Sequence, residues 1–589
     1  MRLVVIRLSY SAFVLLLITG LLAAGPAPRT CTCHAFSSLS STRASISTQY
    51  SFSKRFIIAR SDSRATIPLS RRSHTSSLAL LAKPPSIGSD KSTTTGSNDD
   101  DKPSIGQSII SLAVPALAGL AIDPLMTLAD TAFVGRTATN ADALAGVGSS
   151  AAILTFSFYI FNFLCTATTP LVASRRASGD EQRALAVGGQ ALSLALVLGS
   201  ALSAVLVLLC QPLLSVMGTG VTGPEANAYA TSFLVIRAIA APAVLSISAA
   251  TGILRGYLDT KTALYVLAAA NIVNFVLDVV LILGADMGPT GAAIATTTAE
   301  WLAALTFLGV LAGKLPSADG ELGSNQESRA ILPSTSSDAP LTVVPILSIP
   351  PWKDVKPLIV ASSSVFLRTF VLQISLSGAA AMAARNVGSD TAGASASIAA
   401  HQIALQLWLL CSFVCDALAA ASQALVADAI GRQDANDTRD ISNTIFAYSF
   451  GLGGILAGAL SFGMMSGFLL DFFTTDGSTQ AALNELLPLL ILAQPLNSFV
   501  FAADGVLQGA AEFTYQAKAM ALSVSAGVAS FLILEYDYLG MGSSGGPHGS
   551  DTLLHVWEAL LVLQLARALT SLVKLVEREG PINLLGQKI

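Results

Sequence analysis

Gly252-Ile253-Leu254-Arg255-Gly256 lies ten residues beyond Pro242, and Gly505-Val506-Leu507-Gln508-Gly509 lies ten residues beyond Pro495. The two phrases are 253 positions apart. A second pair agrees: Leu171-Val172-Ala173 with Asp180, and Leu425-Val426-Ala427 with Asp434, are offset by 254. A nearly constant offset over so long a stretch points to one duplicated half rather than two chance matches. In a hydrophobic chain, duplicated halves point to a transporter whose binding site lies where the halves meet.

The chain is apolar enough for that reading. Of its 589 residues 52% are hydrophobic and 12% charged, with a mean hydropathy of +0.64. Soluble proteins carry about 25% charged residues, so the deficit marks a polytopic membrane protein. The net charge of −4 comes without any basic stripe, and no nucleic-acid partner is expected. Cys31 and Cys33 fall in a presequence, whereas Cys165, Cys210, Cys411 and Cys415 fall in apolar runs. This is no disulfide framework. Cys411 and Cys415 share a helix face but lack His or carboxylate company, so they read as small buried residues.

The first hundred residues differ from the rest. Arg2 and Arg7 precede the apolar run Ala12–Ala24, which ends in small residues and Pro26. That is a signal-peptide pattern, assigned to residues 1–35. Residues 36–83 hold 8 Lys/Arg, 1 acidic residue and 18 Ser/Thr, the composition of a transit peptide. The order of the two, with Phe36 at the junction, resembles the bipartite plastid presequence of algae with secondary plastids. The competing expectation is a secreted or endomembrane protein with a Ser-rich stretch. Residues 84–104 read as a flexible linker.

From Ile105 on, long apolar runs alternate with short polar breaks. They predict spans near 107–133, 147–173, 184–210, 228–252, 262–284, 290–312, 354–384, 394–426, 441–471, 482–507, 516–536 and 552–574. Each is long enough to cross a hydrocarbon core of ~30 Å as a helix. The fold class expected is an all-α polytopic membrane protein, twelve helices in two six-helix lobes. The lobes are 105–313 and 354–576, joined by a loop over 314–353 and followed by a tail over 577–589. The loops after even-numbered spans hold twelve Lys/Arg, among them Arg175, Arg176, Arg255 and Arg432, against Arg136 and Arg385 after odd ones. By the positive-inside rule the even loops face the cytoplasm-like side. Both halves then enter from the same side, so the repeat is parallel.

Ionisable residues inside spans cost at least ~2.5 kcal/mol at the bilayer centre, so each needs a reason. The first half offers Asp123, Asp130, Arg237, Asp278 and Glu300; the second offers Arg368, Asp416 and Asp504. Asn274 and Asp278 are four apart and share a helix face. An amide and a carboxylate there can coordinate Na⁺, or hold a carboxyl whose proton comes and goes. Arg237 and Arg368 lie near predicted span ends, where they can snorkel, and Asp504 near another, where it reads as loop or cap. His401 reads as a packed histidine. Asp123, Glu300 and Asp416 are candidates for a cavity or gate. Pro115 and Pro124, with Pro170, Pro242 and Pro495, predict kinks. No GxxxxGK[ST] phosphate loop occurs, so an ion gradient rather than ATP is the expected energy source.

Gly252–Lys261, continuing as Tyr257-Leu258-Asp259-Thr260-Lys261, closely resembles a signature of the multidrug and toxic compound extrusion (MATE) transporters. So do Val114-Pro115 with Leu128-Ala129-Asp130-Thr131-Ala132-Phe133-Val134-Gly135-Arg136, and Ala399-Ala400-His401-Gln402-Ile403 with Asp416-Ala417-Leu418. The wording is most similar to the DinF-like branch, which includes plant plastid members. The resemblance implies two lobes flanking a cavity open alternately to either side, and export of organic solutes, amphipathic or organic-anion compounds, against H⁺ or Na⁺. It implies a cation site at Asp130, Asn274, Asp278 and Thr296. It implies no enzyme activity and no cofactor beyond the coupling ion. The expected partners are a small organic substrate and the bilayer, and the chain is expected to be a monomer. Many eukaryotic members carry an acidic residue in span 7; none occurs here within 357–384. Rival expectations are a lipid-linked oligosaccharide flippase of the same superfamily, favoured by a basic cavity, and a major-facilitator-type transporter. A further rival class is a non-transporting receptor or scaffold. The expected location is the plastid envelope or another plastid membrane, with endomembrane or plasma membrane as the alternative.

Overall fold

The computed structural model describes residues 104–137, 141–216, 224–313, 343, 352–383, 391–474, 476–538, 551–577 and 580–584. The signal and transit segments, almost all of the linker and almost all of the 314–353 loop lie outside the described residues.

The described residues are helical, with no strand among them. In the first half α1 (Ile105–Thr137) is followed by α2 (Ala141–Ile160) and α3 (Phe163–Ala177). Next come α4 (Glu181–Leu208), the short α5 (Cys210–Val216), α6 (Pro224–Ala238) and α7 (Ala241–Gly256). The half closes with α8 (Thr260–Asp278), a π-helical turn over Val279–Gly284, and α9 (Gly288–Leu311). The second half has α10 (Trp352–Ala383), α11 (Thr391–Gly431), α12 (Ala435–Met465) and the short α13 (Phe468–Phe473). It ends with α14 (Gly477–Gly509), α15 (Phe513–Tyr538) and α16 (Asp551–Leu575).

Among the described residues ten helices are long and apolar enough to cross a membrane, and α6 with α7 makes an eleventh span bent by 46°. The 32-residue α10, with a shorter apolar stretch over Leu358–Leu372, completes the twelve. Large apolar side chains stand exposed on the outer helix faces, such as Leu208 at 79% and Met465 at 88%. In water such faces would be liabilities; against lipid they need no cover.

The duplication read in the sequence is repeated atom by atom. A Cβ on Gly252 would lie 2.8 Å from the Cys165 carbonyl oxygen, and one on Gly505 would lie 2.4 Å from that of Ala419. Gly256 abuts Val172, and Gly509 abuts Val426. Gly199 meets the backbone of Pro242, and Gly453 that of Pro495. Small residues let membrane helices approach until main chains touch, gaining dispersion contacts where no hydrophobic effect operates between helices. Helix ends repeat too. Asp180 caps α4 by accepting from Arg183 N (3.2 Å), and Asp434 caps α12 by accepting from Asp437 N (2.9 Å). The chain takes left-handed turns at Leu258 (φ 62°) and Ala511 (φ 57°), which occupy matching places.

The copies diverge at their prolines. Pro242 sits in the first turn of α7, after the break that bends the span. Pro495 lies inside the unbroken α14, as does Pro488. Pro170 is likewise inside α3, and Pro115 within α1. An internal proline removes a hydrogen bond, but the span need not break when neighbours cover the freed carbonyl.

Candidate functional site

In the N-lobe, α8 packs against α1 and α9. Asp259 starts α8, accepting from Thr262 N (2.9 Å) and its hydroxyl (2.5 Å). About four and five turns further on, Asn274 is 1% exposed and Asp278 is 0% exposed. The shared face read from the four-residue spacing is therefore an inward one. The α-helix gives way to the π turn directly after Asp278. Such widened turns are frequent at functional sites, because the extra residue re-aims side chains. Thr296 on α9 donates to the Ala292 carbonyl of its own helix (2.9 Å). Asp123, Pro124 and Asp130 are placed along the α1 backbone, and their side chains lie outside those described.

Glu300 does not join that face. It is paired through both oxygens with Arg237, Arg237 Nη2 donating to Oε1 at 2.7 Å and Nη1 to Oε2. Arg237 thus ends in a bidentate buried pair instead of snorkelling outward. His401 is 1% exposed, its ring 5.8 Å from that of Trp557, in line with a packed histidine.

The C-lobe holds a second polar centre that hydropathy alone did not reveal. Asp504 lies inside α14 and is neither loop nor cap. Its Oδ2 accepts from Arg368 Nη2 on α10 and from Arg567 Nη2 on α16 (2.6 Å). Gln516 Nε2 donates to the Asp504 carbonyl oxygen (3.0 Å) and to Oδ1 (3.3 Å). Arg567 Nη1 donates to Gln564 (2.8 Å), Gln564 to Asn497 (3.3 Å), and Asn497 to Ser412 on α11 (3.2 Å). Asp416 on α11 lies within electrostatic range of Arg255, Arg368 and Asp504. Arg567 was missed in the sequence, although an arginine inside the last apolar run was a sufficient signal. Arg368 is mid-helix and does not snorkel.

The lobes meet on the even-loop side. Arg176 at the end of α3 pairs with Asp428 near the end of α11 (2.7 Å). Gln423 Nε2 donates to the Thr166 carbonyl (2.5 Å), and Gly431 sits against Ser174. Arg176 also donates to the Tyr257 carbonyl (2.9 Å) and lies over its ring. Burial, with the Glu181 carboxylate beside it, pushes the Tyr257 phenol up, so it stays a donor to Glu181 (2.7 Å). Ile109 and Leu112 of α1 join the C-lobe core, while Leu358, Ala361 and Val365 of α10 join that of the N-lobe. The first helix of each half thereby packs against both halves.

Two pseudo-equivalent six-helix halves, each with a buried charged centre and a side-chain seam between them, define a membrane transporter rather than an enzyme. The comparisons agree. The sequence matches the MatE family over residues 115–280 and 369–530, and the chain belongs to that family. It is 28% identical over 497 residues to Protein DETOXIFICATION 45, chloroplastic, of Arabidopsis thaliana, covering 81% of this chain and 79% of that one. It is 26% identical over 433 residues to DNA damage-inducible protein F of Escherichia coli, covering 72% and 85%. In fold it is similar to a MOP superfamily transporter from Pyrococcus furiosus, with a TM-score of 0.65 at 18% identity over 80% of this chain and 95% of that one.

Proposed function

We propose that this transporter is an antiporter that exports organic solutes in exchange for H⁺ or Na⁺. Asp130, Asn274, Asp278 and Thr296 form its cation site, and residues 105–313 and 354–576 move as its two lobes. The observation that carries the reading is Asp278. It is fully buried four residues from an amide, at the point where α8 widens into a π turn. The N-lobe's buried arginine is committed to Glu300, so Arg237 is not its counter-ion. A carboxylate so placed gains from a bound proton or Na⁺.

Export needs cation and cargo to favour different states, since a ligand shifts populations only by differential affinity. The even-loop seam supplies one of those states, closed toward the cytoplasm-like side. The chloroplastic relatives, together with the order of signal and transit segments, support a plastid membrane as the location. The flippase reading calls for an open basic cavity; here Arg237 is held by Glu300, and Arg368 and Arg567 are held by Asp504.

The test is uptake of an organic cation such as tetraphenylphosphonium into proteoliposomes under an imposed pH or Na⁺ gradient. Wild-type flux should follow one of the gradients, and Asp278→Asn should lose that dependence. Full gradient-driven flux in Asp278→Asn would overturn the site.

A further inference from the structure

Asp428, near the end of α11, holds two arginines, one from each half of the chain. Arg176 Nη2, at the end of α3, donates to its Oδ1 at 2.7 Å. Arg432 Nε, four residues further along the same chain segment, donates to its Oδ2 at 3.0 Å. Arg432 Nη2 also donates to Asp437 in the first turn of α12 (2.7 Å). Arg176 has a second hold within its own lobe. Its Nη1 donates to the Tyr257 carbonyl (2.9 Å), and its guanidinium lies 5.7 Å from the centre of the Tyr257 ring. The Tyr257 hydroxyl donates to Glu181 at the start of α4 (2.7 Å), which fixes that ring in place.

These bonds are of two kinds. Arg176 to Asp428 joins the lobes; the others stay inside one lobe and are already made while the seam is shut. Breaking a buried ion pair is costly because it leaves a charge uncompensated. The Asp428 side chain is 11% exposed, so a lost partner would be felt. Yet when the lobes part, Asp428 keeps Arg432 and Arg176 keeps Tyr257, so neither charge is stranded. A permanent seam has no use for such fallback partners. The repeat sharpens the contrast. The positions offset by 254 from Arg176 and Asp428 are Ile430 and Ser174, which carry no charge. There the lobes meet by close packing, Gly431 lying so near the Ser174 carbonyl that an added Cβ would sit 2.4 Å from it.

We propose that Arg176, Asp428 and Arg432 form a partner-exchange latch on the even-loop face. Arg176 holds the closed state, and Arg432 competes with it for Asp428 and eases opening. This rests on the two-lobe movement of the transport reading above. It adds a group, Arg432, whose removal tightens the gate. Asp437 is left without Arg432 in such a variant, but it sits in the first turn of α12, where the helix dipole favours an acid.

The test uses the full chain in phosphatidylcholine nanodiscs, with nitroxide labels at Gln182 and Ala435. These are exposed residues at the starts of α4 and α12, one in each lobe. All variants also carry Gln423→Ala, which removes the seam's bond to the Thr166 carbonyl and raises the open population. Arg176→Gln should raise the ratio of long to short label distances by about fivefold. Arg432→Gln should lower it by about twofold, the effect of an exposed i,i+4 pair. In Asp428→Asn, which has no carboxylate to exchange, Arg432→Gln should change nothing. A pair that merely glues the lobes would not give opposite signs. Arg432→Gln that opens the seam, or acts equally with and without the Asp428 charge, overturns the proposal.

If the labels move with the expected opposite signs while no probe follows a gradient, antiport falls and the latch stands. If tetraphenylphosphonium follows a gradient and both arginine substitutions open the seam, the latch falls and the transporter stands. Labels that never separate in any variant would show a fixed seam and overturn the latch as well.

Discussion

The two lobes share a scaffold and differ in charge. The positions in α15 that match Asn274 and Asp278 are Gly527 and Phe531. A Cβ on Gly527 would lie 3.1 Å from the Ala559 carbonyl, so the C-lobe closes by packing where the N-lobe keeps an amide and an acid. Conversely, Asp504 with its two arginines matches Thr251 in the N-lobe. The N-lobe keeps an acid beyond its Arg237–Glu300 pair, whereas in the C-lobe two guanidiniums share the Asp504 carboxylate. A duplicated frame has thus been filled with different charges, and the difference shows which positions bear the frame. Glycine seams and caps repeat; buried charges do not.

The sharpest way to break this comparison is at the N-lobe acid. Asp278→Asn should cut gradient-driven flux by ~5- to 150-fold, the range of ordinary coupling energies. Phe531→Asp should not create coupling in the C-lobe. Next in size is the neighbouring pair. Glu300→Gln strands the Arg237 guanidinium and should cost about 2–3 kcal/mol, the buried-pair penalty lowered for the 21% exposure of Glu300. Replacing both partners by Met and Leu should restore most of it in thermal unfolding. Loss from the double variant equal to that of the single would show the pair is more than structural.

The glycine seams give a smaller, graded test. Gly505→Ala should cost more than Gly252→Ala, roughly 2 against 1 kcal/mol, because its new methyl meets backbone at 2.4 Å rather than 2.8 Å. Equal melting shifts would deny that the C-lobe seam is the tighter one. Between the lobes, Arg176→Gln should move the conformational equilibrium by about fivefold, or ~1 kcal/mol, away from the closed state. Spin labels at Ser178 and Gln433 would report it as a longer distance.

The smallest effect concerns pH. Asp476 caps α14, and the Ser478 hydroxyl, then the Thr479 hydroxyl and amide, hold its carboxyl down at about 2. Its folded value is depressed, so the contribution is present above the ordinary carboxylate range and is lost only as pH falls toward 2. Amide exchange at the start of α14 should be insensitive to that cap between pH 5 and 8 and rise in Asp476→Ala at any of them.

Much of this was legible in the sequence. The repeat offset located both seams before any contact was known, because helix packing in lipid depends on small residues at fixed spacing. The Asn274/Asp278 face was legible for the same reason: four residues make about one turn. The C-lobe centre was not. Arg368, Asp504 and Arg567 come from three helices, and only packing decides whether an arginine near a span end snorkels or turns inward. Nor could the sequence tell that Pro242 follows a break and Pro495 does not, since that depends on which neighbours cover the freed carbonyls.

The glycine seams have one further consequence. Where main chain touches main chain there are no side chains to repack, so α7 cannot slide over α3, nor α14 over α11, without collision. Each seam is a weld. Movement is left to the boundary between lobes, where Arg176, Gln423 and the α1 and α10 crossings meet through side chains that can let go. An inhibitor of this transporter would therefore gain most by wedging into that boundary, where it could jam the cycle without having to resemble the cargo.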